Sequence, residues 1–151
     1  MLRSDTREEI IGYWEERFGV PARTFDPYLL MASSRTVYLV RENPGLELLK
    51  TMRIQNAGLP FIRKVAGYLK PTTFAVQRFG AWAGKCIANL SISDLSRLCR
   101  DGEIKLEKDF SPGYVILRTD GDTWGCSLFL SPDRLLCRLP KNLRKAIMQM
   151  A

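Results

Sequence analysis

The stretch 109–130, DFSPGYVILRTDGDTWGCSLFL, constrains the fold of this chain more than any other. Tyr114, Val115, Ile116 and Leu117 are strong strand formers, and Asp120-Gly121 supplies the two residues that a tight type I′ turn requires. A two-residue turn pairs Thr119 with Asp122, Leu117 with Trp124 and Val115 with Cys126. It gathers Val115, Leu117, Trp124, Cys126 and Leu128 on one apolar face. Gly125 then falls opposite Ile116, and Ser127 opposite Tyr114, on the other face. A slip of one residue would turn Trp124 away from its neighbours, so the pattern specifies the register. Asp120 and Asp122 read as turn formers rather than as a carboxylate pair for acid–base work. The hairpin is a scaffold, and functional residues are expected just before and just after it.

Several chemistries are excluded by what the chain lacks. There is no histidine, which removes Ser-His-Asp and Cys-His mechanisms and any histidine-held metal. The four cysteines (Cys86, Cys99, Cys126, Cys137) contain no CxxC pair, so they read as reduced core residues and no metal site is expected. The N-terminus, MLRSDTREEI, lacks the apolar core of a signal peptide, and no run nears the ~18 apolar residues of a membrane span. A cytoplasmic protein with no membrane partner is the expectation.

Charge is unevenly placed within the net +7. Residues 31–82 hold 8 basic and 2 acidic side chains, and residues 134–151 hold 5 basic and none acidic. The intervening stretches 1–30 and 83–133 are each at −2. Two separated basic tracts suggest a positive surface assembled from both halves of the chain, of the kind that attracts polyanions through phosphate neutralisation.

Helix signals open the chain. Asp5 with Glu8 three residues on resembles a capping box, and Ile10, Ile11, Trp14 and Phe18 recur at helical spacing before Gly19 and Pro21 end the pattern. TFDPYLLMA and TVYLVR read as two strands around Ser33-Ser34-Arg35, with Pro27 marking an edge or a bent start. Pro44-Gly45 is a break and LELLKTM a short helix. Between Phe61 and Phe79, aromatics alternate with Arg63, Lys64, Lys70 and Arg78. Such interleaving suits nucleic acid, but core aromatics beside solvated basic residues is the better reading for most of them, and no period assigns helix or strand to residues 57–80. Further on, KCIANL reads as a strand, SDLSRLC as a short helix capped by Ser91 or Asp94 and ended by Asp101-Gly102, and EIKLE as a strand. RLLCRL is a last strand and PKNLRKAIMQM a terminal turn or helix. The fold class is α+β: a small α/β unit over residues 1–82, then a small, closed, barrel-like β domain with a short helix over 83–151.

The order strand, short helix ending in Arg100-Asp101-Gly102-Glu103, strand, hairpin, strand resembles a PUA-type RNA-binding domain. It is most similar to the PUA-like domain at the C-terminus of the Sun-type RNA cytosine methyltransferases. In that family a helix ends in an Arg-x-Gly loop, matched by Arg100-Asp101-Gly102, and a short-turn hairpin opens with glycine, matched by residues 113–125. The family's Pro-Lys-x-Leu-Arg tail is matched by Pro140, Lys141, Leu143 and Arg144, with Asn142 where glycine is common. EERFGVPARTFDPYLL also resembles the segment that precedes the domain there, and the two-part layout is similar to ribosome-biogenesis factors with a pre-PUA domain. No glycine-rich S-adenosylmethionine loop and no paired Pro-Cys cysteines accompany these motifs, so neither methyl transfer nor any cofactor is expected.

The resemblance implies RNA held between the glycine loop and the C-terminal strand. Its candidate contacts are Arg100, Gly102, Lys105 and Lys108 on one side, and Arg138, Lys141, Arg144 and Lys145 on the other. Gly102 would let backbone N–H groups approach a phosphate closely, and no acidic residue after Asp133 opposes the field of the tail. Glu103, Glu107 and Asp109 stand close enough in sequence to neutralise Lys105 and Lys108. The expected function is non-enzymatic binding of rRNA or tRNA, in ribosome biogenesis or beside an RNA-modification enzyme. The alternative is an interaction subunit that docks onto a separate catalytic partner through its acidic first helix or a sheet edge.

Overall fold

The structure, a computed structural model, describes residues 4–42 and 58–150. The helix expected over LELLKTM and the break at Pro44-Gly45 lie outside those residues. Helix α1 is described over Ser4–Phe18, so Asp5 lies within it instead of preceding it as a cap. Its apolar stripe, Ile10, Ile11, Trp14 and Phe18, is buried, and Glu8, Glu9, Glu15 and Glu16 are exposed. Trp14 stacks flat on Phe61 with ring centroids 5.2 Å apart, and Phe25 and Phe79 close the aromatic cluster.

The strands form two sheets among the described residues. The first is antiparallel in the order β1 (Tyr28–Ser33), β2 (Thr36–Arg41), β3 (Leu59–Val65), β4 (Tyr68–Pro71). Pro27 thus precedes an edge strand, where its missing N–H leaves no ladder position empty. After β4 come α2 (Thr73–Phe79) and a single 3-10 turn (Gly80–Trp82). Residues 59–65 resist sequence reading because β3 is irregular. A bulge in its pairing with β2 leaves Phe61 and Ile62 adjacent and both buried, which destroys the two-residue alternation.

The second sheet runs in the order β5 (Ile87–Asn89), β7 (Gly113–Thr119), β8 (Asp122–Leu130), β9 (Arg134–Leu136), β6 (Glu103–Lys105), with β5 parallel to β7. Helix α3 (Ile92–Asp101) lies between β5 and β6 in the chain, and α4 (Lys141–Met150) closes it. The α+β class holds. The closed barrel does not: β5 and β6 are the two free edges, and the sheet curls into a half-barrel. The last strand also stops at Leu136, short of the six residues expected, because Cys137 and Arg138 leave the ladder. Their N–H groups donate to the Gly102 carbonyl and the Ser127 hydroxyl.

At its tip the β7–β8 hairpin follows the turn chemistry. Asp120 and Gly121 both take positive φ (48° and 88°), and Thr119 pairs with Asp122. Beyond the tip the register differs from expectation. A bulge after Leu117 inserts Trp124, so that Leu117 faces Gly125, Val115 faces Ser127 and Ile116 faces Cys126. The expected single apolar face is two faces. Ile116 and Cys126 complete the core around Trp14 and Phe61, while Val115, Leu117 and Phe129 belong to a second core with Leu95, Leu98 and Ile147. A strand pair buried on both sides carries no polar face to pin its register, and a bulge then decides which residue looks which way.

Polar ties reinforce this junction. The Arg17 guanidinium donates to the Tyr114 carbonyl at 2.8 Å and to the Ser111 carbonyl and hydroxyl, holding α1 against the start of β7. Arg118 donates to the Gly80 carbonyl at 2.7 Å, and the Gln77 amide to the Trp124 carbonyl at 2.9 Å. Arg17→Met keeps the aliphatic stem and removes these bonds. It is expected to lower unfolding stability by about 1–3 kcal/mol, read from the urea midpoint; an unchanged midpoint would refute the tie.

Candidate nucleic-acid interface

Two basic surfaces flank the hairpin, and the residues singled out in the sequence divide between them. The first is the gap between the helix-ending loop and the tail. Ser91 caps α3, its hydroxyl accepting from the Asp94 amide at 3.0 Å, and the helix ends on Gly102 at φ +84°. The Gly102 amide donates to the Leu98 carbonyl, and a side chain at this glycine would meet nothing within 4 Å. Glycine is therefore required here by the left-handed helix cap, and its N–H is engaged in that cap rather than presented to a ligand.

The loop and the tail do adjoin. Cys137 donates to the Gly102 carbonyl at 2.8 Å, and both Nε and one terminal nitrogen of Arg144 donate to the Cys99 carbonyl, at 3.2 and 2.7 Å. Arg144 thus caps the negative end of α3 and fastens α4 to it. Arg100 is exposed and paired with its neighbour Asp101 at 3.2 Å. Lys105 lies between Glu107 and Asp133 at 3.6 and 3.5 Å, so its charge is met within the protein. Lys108, Lys141 and Lys145 are exposed.

Arg138 belongs to the second surface, a groove of about 470 Å³ where the two halves of the chain meet. Register builds it. Val37, Ile62 and Pro71 line up across β2, β3 and β4 toward the core, so the next row, Thr36, Arg63 and Lys70, faces outward. Arg63 and Lys70 are direct cross-strand partners, an arrangement of like charges that is destabilising in itself. Lys70 Nζ reaches the Arg138 carbonyl at 3.5 Å, joining the sheet to the chain after β9. The Thr72 hydroxyl accepts from the Ala75 amide and donates to the Pro60 carbonyl, which fixes the start of α2 and leaves Phe74 at the rim, 61% exposed.

Among the described residues, no acidic side chain lines this groove, and a neighbouring one of about 590 Å³, bounded by Arg35, Arg63 and Lys64, shares Arg63 with it. At the floor, the Cys126 thiol bonds the Pro71 carbonyl at 3.4 Å. Burial pushes this thiol up from 9.0 to about 12, against the pull of the Lys70 ammonium. The groove can hold phosphate oxygens and a flat ring, but it has no nucleophile paired with a base. Among the described residues, no group of three or more acidic or cysteine side chains is placed to hold a metal ion, and no helix is long and apolar enough to cross a membrane.

Sequence reasoning met Arg63, Lys70 and Phe74 but could not distinguish them from Phe61 and Phe79, which are core. Only the strand register separates the two sets. No protein-family model matches the chain, and no curated protein matches it in sequence.

Two outcomes follow from this geometry. Arg144→Ala leaves the Cys99 carbonyl without its charged donor and is expected to cost about 1.5–3 kcal/mol by chemical denaturation, whereas Lys141→Ala stays within about 0.5 kcal/mol of the parent. Equal effects would contradict the capping role. For the buried thiols, the folded state keeps its protons to higher pH than the unfolded state, with Cys99 raised to about 11 and Cys126 to about 12. The linked stability is whole below pH 9 and is lost as pH rises toward 12. Urea unfolding at stepped pH is expected to record this fall, shallower in Cys126→Ala.

Proposed function

We propose that this chain is a non-enzymatic, cytoplasmic RNA-binding protein that acts on rRNA or tRNA, in ribosome biogenesis or beside an RNA-modification enzyme. The observation that carries this reading is the meeting of both basic tracts in one groove. Arg63 and Lys70 come from the first half and Arg138 from the tail, with no carboxylate among the described residues that line it. Such a field concentrates a polyanion and releases its counterions on contact. The PUA-like order of elements after residue 83, with the Arg100–Gly102 loop against the Arg144 tail, supports RNA over other polyanions. Arg144 and Gly102 act there by shaping the gap, and Arg100, Lys141 and Lys145 supply its exposed charge.

A second reading has its own support. The four exposed glutamates of α1 form an acidic face remote in character from the groove, suited to a basic partner protein. Co-purification that survives nuclease treatment and is lost in a Glu8→Gln/Glu9→Gln variant would favour it.

Anisotropy titrations of bulk tRNA or rRNA fragments across a salt series test the leading reading. Log affinity is expected to fall linearly with log salt, and Arg63→Ala/Lys70→Ala to reduce the slope by about 1.5. Salt-independent binding, or none at low salt, would end the proposal.

A further inference from the structure

Beside the cation pair, the sheet and the turn after it carry exposed aromatic surface. Tyr68 is two residues before Lys70 on β4, so both project from the same outer face, about 7 Å apart along the strand. Its partner across the ladder is Val65, and Tyr68 is 72% exposed. On the other side of the pair, the chain turns from Pro71 into α2 and presents Phe74 at the groove rim, 61% exposed. Phe61 and Phe79, from the same segment, are fully used in the core, so exposure of Tyr68 and Phe74 does not follow from a shortage of interior. Along the chain, Lys70 of the cation pair thus stands between one exposed ring at Tyr68 and another at Phe74.

We infer that the outer face of the four-stranded sheet binds single-stranded RNA, with Arg63 and Lys70 on a backbone phosphate between bases stacked on Tyr68 and Phe74. This rests on the RNA-binding reading above and names the form of RNA that the site takes. Stacking on a protein ring needs an unstacked base, which a duplex does not offer, whereas phosphate contacts alone would serve duplex and single strand alike. The like-charge pair is consistent with the same occupant. Two cations held opposite each other repel in the free protein, and a phosphate between them turns that repulsion into attraction. Stacking is tolerant of base identity, so the platform gives preference for strandedness with little preference for sequence. A free mononucleotide offers one base and cannot span both rings.

The experiment is an anisotropy titration of the full chain with a labelled short oligouridine, a labelled RNA duplex of equal length, and unlabelled uridine monophosphate as competitor. Tyr68→Ala and Phe74→Ala are each expected to weaken oligouridine binding about 5- to 150-fold, with duplex affinity and the salt slope unchanged. Tyr68→Phe should bind as the parent does, and the monophosphate should compete only weakly. Both side chains are exposed, so the melting temperatures should match and loss of fold is separable from loss of binding. Equal loss on duplex and single strand, no loss on either, or strong competition by the monophosphate would overturn the inference while RNA binding stands. Absence of salt-dependent binding in the parent protein would instead remove the RNA reading itself.

Discussion

Burial of the β7–β8 hairpin on both faces is the constraint on which the rest of this structure depends. Ile116 and Cys126 close the core built by α1, the first sheet and α2, while Val115, Leu117 and Phe129 close the core under α3 and α4. Removing water from both sides of one strand pair couples the two cores: neither half can lose the hairpin without exposing its own apolar interior. Arg17 and Arg118 then satisfy partly buried backbone carbonyls at the seam, and Gln77 adds an exposed bond to the Trp124 carbonyl. The bulge at Trp124 belongs to the same constraint. It is the local adjustment by which one strand serves two cores of different shape.

That coupling places the charges. Because the hairpin holds the end of the second sheet against the first, Arg138 arrives beside Lys70, though 68 residues separate them. The tail's positive charge is consequently divided by role. Arg144 is turned inward to a helix-end carbonyl, and Arg138 lines the groove. Lysines of the same tract remain in solvent. A basic tract in sequence is thus four different things in space: a helix cap, a groove wall, a cross-strand ion pair from Arg134 to Glu103 and a solvated face. The same division appears among the aromatics of residues 61–79, of which some form the core and others the rim of the groove.

Legibility in the sequence followed the range of the interactions involved. The hairpin turn could be read from Asp120-Gly121, the α3 boundaries from Ser91 and Gly102, and the stripe of α1 from Ile10, Ile11, Trp14 and Phe18, because turn and helix-end chemistry acts over a few residues. The strands around Ser33 and Thr36 were readable for the same reason. Residues 59–71 were not, since the adjacent buried pair Phe61-Ile62 is created by a bulge whose cause is the neighbouring strand β2. The candidate site was partly readable. The expectation that the Arg100–Gly102 loop adjoins the Pro140–Arg144 tail came from the family resemblance, but the engagement of the Gly102 amide and of Arg144 within the fold did not.

The sequence by itself determined most element types outside residues 57–80, the positive surface and the absence of histidine chemistry, all of which depend on residue identity and local spacing. Only the tertiary structure decided which face each hairpin residue serves, and that Arg63, Lys70, Phe74 and Arg138 share one groove. Those outcomes depend on pairing between segments far apart in the chain. A one-residue bulge reverses the direction of a side chain without changing any composition or period that a linear reading can detect.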